Sequence, residues 1–430
     1  MRKSLSRRRF LGAGVGALAA AGALGWLYRP RSIGASLGDL VADPEGILNL
    51  PPGFSCQVLQ RVGDRMTDGL TTPEAPDGMA CFPGDEETWV VMRNHEVHEG
   101  SSVDSTLGFA DNRGGGVTRL VVDRESGTLR SSNFVLTGTS RNCAGGPSPY
   151  GWLSCEEVEE PEHGYVFLCD ASASTLQAPH KLPALGRFPH EAAAFDEITG
   201  ITYLTEDKSD SAIYRHLPDH PTKPFIGGEL QALKVSSKDR FRLSEGPKVG
   251  DAFDVEWVSV PDPQALKTST RDQAHNMGAA FLSRGEGAWL AGRQVYFCST
   301  DGGPANRGQL YKLDLSSEDK NQITLVAQAE GDEAFDKPDN VTVSPWGDVF
   351  LAEDGDAPNG VCVLQPDGSV RYFAENVLNH GDSEITGVCF SPDGKWLFLN
   401  LQWEGLTLSL IHISEPTRRT PISYAVFCLK

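Results

Sequence analysis

The chain repeats one order of residue types: a polar residue, an apolar run, a turn, a second apolar run, and a polar or acidic end. Apolar runs of strand-forming residues that flank Pro-Asp-Gly, Pro-Tyr-Gly or Pro-Trp-Gly are typical of β-hairpins. Six segments have this order, namely residues 76–96, 142–157, 189–207, 274–303, 338–355 and 383–402. We therefore predict an all-β fold over residues 36–407, a β-propeller with six blades and insertions between them. A β-sandwich with unrelated hairpins is the alternative.

The hairpins also predict where polar residues meet. In an antiparallel hairpin the beginning of the first strand and the end of the second strand lie at the same edge. If the first strands surround one axis, each hairpin brings two polar residues to a common mouth. The pairs are Asp77 with Glu96, Cys143 with Glu157, Glu191 with Glu206, Asn276 with Asp301, Asn340 with Glu353, and Glu384 with Asn400.

The charge balance points to cations. The chain has 58 acidic and 38 basic residues and a net charge of −20, and seven of the basic residues precede residue 32. Nucleic acid is not an expected partner, because phosphate contacts need clustered basic residues. Carboxylates that converge on one mouth repel each other unless cations neutralise them. We therefore expect bound metal ions; carboxylate and amide oxygens suit Ca²⁺, and a thiolate among them selects a transition metal.

One cysteine differs from the others in its surroundings. Cys143 lies at the polar beginning of a hairpin, in Arg-Asn-Cys-Ala-Gly-Gly, whereas Cys169, Cys298, Cys362 and Cys389 lie inside apolar strands and are expected to be small buried hydrophobic residues. This position favours a metal ligand. A buried structural thiol and a disulfide are the alternatives, and a disulfide framework is not expected in a chain with so large a core.

Both ends carry sequences that we do not expect in the folded domain. Residues 6–11 read Ser-Arg-Arg-Arg-Phe-Leu and precede an apolar stretch to residue 28. This pattern predicts a twin-arginine export signal within residues 1–35, and so recognition by the twin-arginine machinery and a periplasmic or extracellular location. An N-terminal membrane anchor is the alternative, since 19 residues just suffice to span a bilayer.

The other end resembles translated sequencing-adapter DNA. The strings LSLIHISEPTR from Leu408 and ISYAVFCLK from Ile422 are what such DNA encodes. We expect residues 408–430 to be foreign to the natural protein, so neither His412 nor Cys428 is assigned chemistry. A genuine terminal strand is the alternative.

Several motifs together resemble those of the PhoX-type alkaline phosphatases. They are PDGMACF and RNHE in the first hairpin, NCAGGPSPYGWLSCEE in the second, PHEAAAFD and YLTED in the third, SRGEG in the fourth, PDNVTVSPWGDVFLAEDG in the fifth, and TGVCFSPDGKWLFLN in the sixth. Residues 44–54 resemble the opening of the family, and the likeness extends over about residues 43–407. The chain is shorter than the best-known members and ends in the adapter-like tail.

The resemblance implies hydrolysis of phosphate monoesters by a six-bladed propeller with ferric iron (Fe³⁺) and calcium (Ca²⁺) at its mouth. It implies an iron-bound cysteine, matched by Cys143, and a phosphate-holding arginine, matched by Arg284, for which a salt bridge to a loop acid is the alternative. The family motifs place further metal ligands at Glu157, Glu191, Glu286 and Asp339. The hairpin geometry adds Glu96, Glu206, Glu353 and Glu384.

The expected partners are small phosphate esters, bound by a monomer. Two other functions stay open at this point. A calcium-dependent lactonase-like propeller would need few acids and no thiolate, and a non-catalytic metal-binding propeller would have more regular repeats.

Overall fold

The computed structural model describes residues 37–317, 321–331 and 335–412. The predicted signal segment, residues 1–35, and residues 413–430 of the predicted foreign tail lie outside them. Among the residues that are described, no helix is both long and apolar enough to cross a membrane.

Strands make up nearly all the regular structure. Within the described ranges, one short helix, α1 (Thr270–Asn276), and two 3₁₀ turns (Pro183–Leu185 and Leu378–Gly381) accompany them. The strands are β1 (Leu48–Asn49), β2 (Phe54–Arg61), β3 (Pro76–Pro83), β4 (Thr88–His95), β5 (Gly115–Asp123), β6 (Leu129–Thr139), β7 (Asn142–Ser148), β8 (Gly151–Glu156), β9 (Val166–Cys169), β10 (His190–Phe195), β11 (Thr202–Glu206), β12 (Tyr214–Leu217), β13 (Glu229–Val235), β14 (Ala252–Ser259), β15 (Gly285–Ala291), β16 (Gln294–Ser299), β17 (Gln309–Asp314), β18 (Asn321–Gln328), β19 (Pro338–Val343), β20 (Val349–Glu353), β21 (Gly360–Leu364), β22 (Val370–Asn376), β23 (Ile385–Phe390), β24 (Trp396–Leu401) and β25 (Leu406–His412).

These strands form five antiparallel sheets in a propeller-like arrangement, which confirms the predicted all-β class. Three sheets have the orders β3-β4-β5-β6, β7-β8-β9 and β1-β22-β21-β20-β19. A nine-stranded sheet, β10-β11-β12-β13-β14-β18-β17-β16-β15, contains two successive meanders joined through β14. The last sheet, β2-β25-β24-β23, pairs a strand from near residue 54 with one from near residue 412 and so joins the two ends of the described chain.

The innermost strands surround one axis. Strands β3, β7, β10, β15, β19 and β23 each contact the next, and β23 contacts β3. Glycines allow this close approach: a Cβ on Gly78 would lie 2.7 Å from the Cys143 carbonyl oxygen, and one on Gly387 would lie 2.4 Å from that of Asp77. The cavity left on the axis has a volume of only about 20 Å³, roughly that needed for one water molecule. The axis is therefore nearly closed below the mouth.

The predicted foreign tail begins inside β25. Leu408 and Leu410 are buried, pack in the core that β24 shares, and pair with Val58 and Cys56 of β2. Residues 406–410 are all buried, with apolar and hydroxyl side chains in alternation, so any sequence at residues 408–410 must fill a packed interior on both faces of β25.

The fourth predicted hairpin begins later in the structure than in the sequence analysis. Asn276 is exposed and lies at the end of α1, outside the ring of innermost strands, and the hairpin itself begins at Gly285. The helix follows an N-cap in which the Ser269 side chain accepts a hydrogen bond from the Asp272 N–H. The prediction that Asn276 lies at the mouth was therefore wrong, because residues 260–284 are an insertion that precedes the strand.

Candidate metal centre

Five of the six innermost strands share a β-bulge directly after their first residue. The pairing with the second strand of the hairpin skips residues 77–78, 143–144, 191–192, 286–287 and 339–340. A bulge breaks the alternation of a strand and re-aims a side chain. The first residue of every bulge is an acid or a cysteine, and we call these five the axial positions: Asp77, Cys143, Glu191, Glu286 and Asp339.

Three axial positions meet closely enough for one metal ion. One carboxylate oxygen each from Glu191, Glu286 and Asp339 lie within 4.8 Å of one another. Cys143 adjoins them, because its neighbour Ala144 donates its backbone N–H to Glu191 Oε1 at 3.2 Å. The Cys143 thiol is buried and lies 3.3 Å from the His190 carbonyl oxygen. The structure therefore brings four of the predicted ligands together.

A second set of acids lies where the hairpins end. The backbone N–H of Glu96 donates to the Ala75 carbonyl oxygen, directly before β3, at 2.9 Å. The backbone N–H of Glu157 donates to the Arg141 carbonyl oxygen, directly before β7, at 3.0 Å. The charges of Glu96 and Glu157 add to the burial that raises the pKa of Asp77. In the same way, the charge of Asp207 adds to the burial that raises the pKa of Glu286, and the charge of Asp354 adds to the burial that raises the pKa of Asp339. We call these four the rim acids: Glu96, Glu157, Asp207 and Asp354.

Two predicted ligands are not brought to this centre. Glu206 directs its oxygens to Arg271 Nη1 and the Tyr214 hydroxyl, both at 2.9 Å. Glu353 accepts the backbone N–H groups of Asp336 and Gly360, both at 2.8 Å. The expected convergence therefore fails for Glu206 and Glu353. Successive residues at the end of a strand face opposite ways, so the next residue along the chain, an aspartate in both hairpins, reaches the mouth instead.

The sequence offered a signal for this correction that the prediction did not use. The second, third and fifth hairpins each end in a pair of acids: Glu156-Glu157, Glu206-Asp207 and Glu353-Asp354. In the first pair Glu156 binds the outer loop through His163 and the Gly164 N–H, at 2.7 and 2.9 Å, as Glu353 does in its own hairpin. The first acid of each pair thus holds a loop, and the second is a rim acid.

The sixth hairpin departs from the pattern. Its bulge comes one residue later, and the residue at the position corresponding to the axial acids, Thr386, donates its hydroxyl to the Pro76 carbonyl oxygen. Glu384 precedes the strand, and its charge adds to the burial that raises the pKa of Asp339. Gln402 at the end of the hairpin donates to Asp77 Oδ2 at 3.2 Å and to Glu96 Oε2 at 3.0 Å. This hairpin orients acids from a neighbouring strand.

Two asparagines that the hairpin geometry directed to the mouth bind the backbone of a neighbouring strand. Asn340 Oδ1 accepts the Gly387 N–H at 2.6 Å, and Asn400 Nδ2 donates to the Asp77 carbonyl oxygen at 2.8 Å. Asn340 also reaches the centre, because its Nδ2 donates to the axial Asp339 Oδ2 at 2.6 Å. Asn340 thereby joins β19 to β23, and Asn400 of β24 joins the last hairpin to β3.

The acids of the centre do not titrate in the ordinary range. Burial, followed by the charges of neighbouring acids, raises the pKa of five carboxyl groups well above their usual values: Asp77, Glu191, Glu286, Asp339 and Glu384. Burial also raises the pKa of Glu157 to about 8, against the opposing charge of Arg141. Carboxylates so close together ionise jointly only when positive charge is added. The centre therefore favours cations, and its donor set of hard oxygens with one thiol fits calcium together with a transition metal.

Two arginines bind the acids from the mouth side. Arg284 donates Nε and Nη2 to Asp207 at 3.0 and 3.1 Å, and Nη2 also to Glu286 at 2.7 Å. Arg141 bridges Glu96 and Glu157. Both residues have a positive φ, 45° and 47°, directly before the innermost strand. The predicted catalytic residue Arg284 therefore lies at the centre with its guanidinium held by two acids.

An open pocket adjoins the centre. It has a volume of about 510 Å³ and is lined by Glu96, His98, Arg141, Glu157, Val158, Glu159, Glu160 and Lys208. We call it the mouth pocket. Because the axis below the centre is nearly closed, a small molecule reaches the acids from this side.

The paired acids allow a direct test of the alternation. We expect Asp354→Asn to lower the metal affinity by at least about 10-fold while the fold is retained. Glu353→Gln should leave the metal content unchanged and lower the free energy of unfolding by about 1–3 kcal/mol, because an amide group leaves one backbone N–H without its acceptor. Elemental analysis and denaturant unfolding of both variants measure the two effects, and the reverse assignment would contradict the geometry.

A family model described as alkaline phosphatase PhoX matches residues 35–133 and 125–405. No curated protein sequence matches the chain.

Among solved structures, Pseudomonas fluorescens PhoX in complex with vanadate, a transition state analogue, is 19% identical, with a TM-score of 0.67 over 88% of this chain and 98% of that chain. A gluconolactonase from Xanthomonas campestris is 12% identical, with a TM-score of 0.46 over 87% of this chain and 98% of that chain. The first of these likenesses supports the propeller-like fold.

Proposed function

The chain belongs to the PhoX family of alkaline phosphatases, and from this premise we propose that it is an exported phosphatase that hydrolyses phosphate monoesters at an iron and calcium centre. The observation that carries the proposal is the meeting of Glu191, Glu286 and Asp339 within 4.8 Å, beside a buried cysteine and under a ring of acids. A structural role alone would not select so many more carboxylates than basic groups at one place.

The donor set indicates which residues would hold the metals. The thiol of Cys143, with Glu191 beside it, suits ferric iron, which accepts both thiolate and carboxylate ligands. Calcium binds six to eight oxygen ligands. Carboxylate oxygens of this kind are offered by the remaining axial positions, by Glu384 and by the rim acids. Bound cations would supply the positive charge that stabilises the phosphoryl group during its transfer.

The chain's own residues orient the substrate. Arg284 is fixed through Nε and Nη2, whereas its Nη1 has no hydrogen-bond partner among the described residues. That nitrogen is available to an oxygen of the phosphoryl group. The nearly closed axis limits access from below, and the mouth pocket offers the substrate and the attacking water a route to the rim acids.

We also infer the count of blades and the route of export. The six innermost strands, and the division of the nine-stranded sheet into β10–β13 and β15–β18, support six blades with β14 as a link between two of them. The twin-arginine pattern of residues 6–11 supports export. By this route the protein would cross the membrane already folded and with its metals bound. Fractionation of cells that express the full chain tests it: the protein should leave the cytoplasm.

Purified protein decides the activity. We expect iron and several equivalents of calcium by elemental analysis, hydrolysis of a simple phosphate monoester such as glycerol phosphate, and loss of that hydrolysis after chelation. No hydrolysis of a lactone is expected. A folded, metal-free protein without phosphatase activity would overturn the proposal, and calcium-dependent lactone hydrolysis in its place would favour the lactonase-like alternative.

A further inference from the structure

The mouth pocket holds two cations that differ in what they already bind. Arg141 is committed, because its guanidinium bridges Glu96 and Glu157. Lys208 lines the same pocket and is half-buried, yet its ammonium forms no hydrogen bond or ion pair with any described residue. A half-buried ammonium without a protein partner has hydrogen-bonding capacity that a ligand can use.

The backbone of Lys208 is held firmly. Its N–H donates to the Glu206 carbonyl oxygen at 3.1 Å, and its own carbonyl oxygen accepts the N–H groups of Ser211 and Arg284 at 3.1 and 2.9 Å. The last contact ties Lys208 to the backbone of the residue that the family resemblance assigns to phosphate. Lys208 and Arg284 are thus placed side by side at the mouth by main-chain hydrogen bonds, whatever their side chains bind.

The side chain of Lys208 borders a rim acid. Lys208 and Glu157 line the same mouth pocket, and the charge of Lys208 opposes the burial that raises the pKa of Glu157. Lys208 is therefore placed where a molecule in the mouth pocket can contact it.

We propose that Lys208 is a second phosphate-holding residue, which binds a non-reacting oxygen of the substrate's phosphate monoester, or of released inorganic phosphate, from the mouth pocket. This proposal rests on the proposed phosphatase function. A phosphate dianion needs several donors, and charge-assisted hydrogen bonds to it are among the stronger ones in proteins. Arg284 offers Nη1 and Lys208 offers its whole ammonium, whereas Arg141 has only what its two acids leave.

The alternative role for Lys208 is to neutralise the rim acids, and the two roles predict different results. A phosphate-holding lysine affects the binding of phosphate and the KM for monoesters. A charge-neutralising lysine affects metal content and the stability of the metal-loaded protein, and its loss would not weaken phosphate at constant metal content.

The test uses the metal-loaded protein with Lys208→Met, Lys208→Arg and, as control, Lys395→Met. Lys395 lies in the turn between β23 and β24, at the end of the hairpin opposite the mouth, where its ammonium donates to the Glu125 carbonyl oxygen and lies over the Trp396 ring. The probes are inorganic phosphate in calorimetry and glycerol phosphate in steady-state kinetics, with elemental analysis of each variant.

We expect Lys208→Met to bind phosphate about 10-fold more weakly and to raise KM by a similar factor, with kcat changed less and metal content unchanged. Lys208→Arg should regain most of the affinity, and Lys395→Met should match the unaltered protein. Unchanged phosphate binding in Lys208→Met, or weaker binding that follows only from lost metal, would overturn the proposal. If the unaltered protein binds phosphate but hydrolyses no monoester, the proposed function fails, and calorimetry still decides the role of Lys208.

Discussion

Replacing Glu286 with Gln should lower the turnover of phosphate monoesters by at least about 100-fold, since even residues that only orient a metal ligand cost 10–100-fold when they are lost. Glu286 is buried, lies at an axial position, and supplies one of the three carboxylate oxygens that lie within 4.8 Å of one another. Gln keeps the shape and one oxygen, so the hydrogen bond from Arg284 survives. However, Gln lacks the negative charge that a cation requires.

The same variant should be more stable than the unaltered protein once metals are removed. Burial and the charges of Asp207 and Asp339 raise the pKa of Glu286, which means that the folded state resists its ionisation. A group whose pKa is raised in the folded state stabilises the fold below its unfolded pKa and loses that contribution as the pH rises. At pH 8, therefore, chelated Glu286→Gln should unfold at a higher temperature than the chelated unaltered protein.

Elemental analysis, monoester hydrolysis and thermal unfolding with and without chelator measure these effects together. Glu229→Gln is the control, because Glu229 is an exposed residue on β13 and should change neither metal content nor activity. Full activity and full metal content in Glu286→Gln would show that the cluster of Glu191, Glu286 and Asp339 does not bind a metal required for the reaction.

Cys143→Ser is expected to lower activity by roughly 10–100-fold and to abolish colour, if the thiol binds ferric iron. A thiolate bound to ferric iron gives a visible sulfur-to-iron charge-transfer band, and Ser replaces sulfur with a harder oxygen of similar size. Burial, with the charges of Glu191 and Glu157, raises the pKa of the thiol. Without a metal it stays protonated, so the band reports metal binding directly.

Cys389→Ser is the matched control. Cys389 is buried in an apolar cluster with Phe398 and Trp396, and burial alone raises its pKa. A hydroxyl there should cost about 1–3 kcal/mol of stability and leave the colour and the iron content of the folded protein unchanged. Cys298 is a poorer control, because the charges of Asp339 and Glu286 also act on it. Equal iron content and activity in both variants would leave Cys143 as a buried thiol.

The sequence by itself determined the all-β, propeller-like class of this fold and the phosphatase family to which the chain belongs. Alternation and turn residues predicted the hairpins that form innermost strands, since both signals are local. Cys143 was distinguished from the other cysteines by its polar surroundings, and the axial acids Glu191, Glu286 and Asp339 by their family motifs. The predicted fourth hairpin begins too early along the chain, because a capped helix and its flanking loop precede the first strand.

The tertiary structure alone decided which polar residues reach the metal centre. A shift of one residue along a strand reverses the direction of its side chains, so the spacing of a hairpin could not separate Glu353 from Asp354 or Glu206 from Asp207. The bulges that aim the axial positions depend on how closely neighbouring innermost strands pack, and that packing depends on glycines and asparagines far apart in the chain. Lys208 was recognised as a candidate only from the mouth pocket, which residues of three separate hairpins line. Convergence of residues from different hairpins is set by long-range packing, which no local pattern of apolar and polar residues encodes.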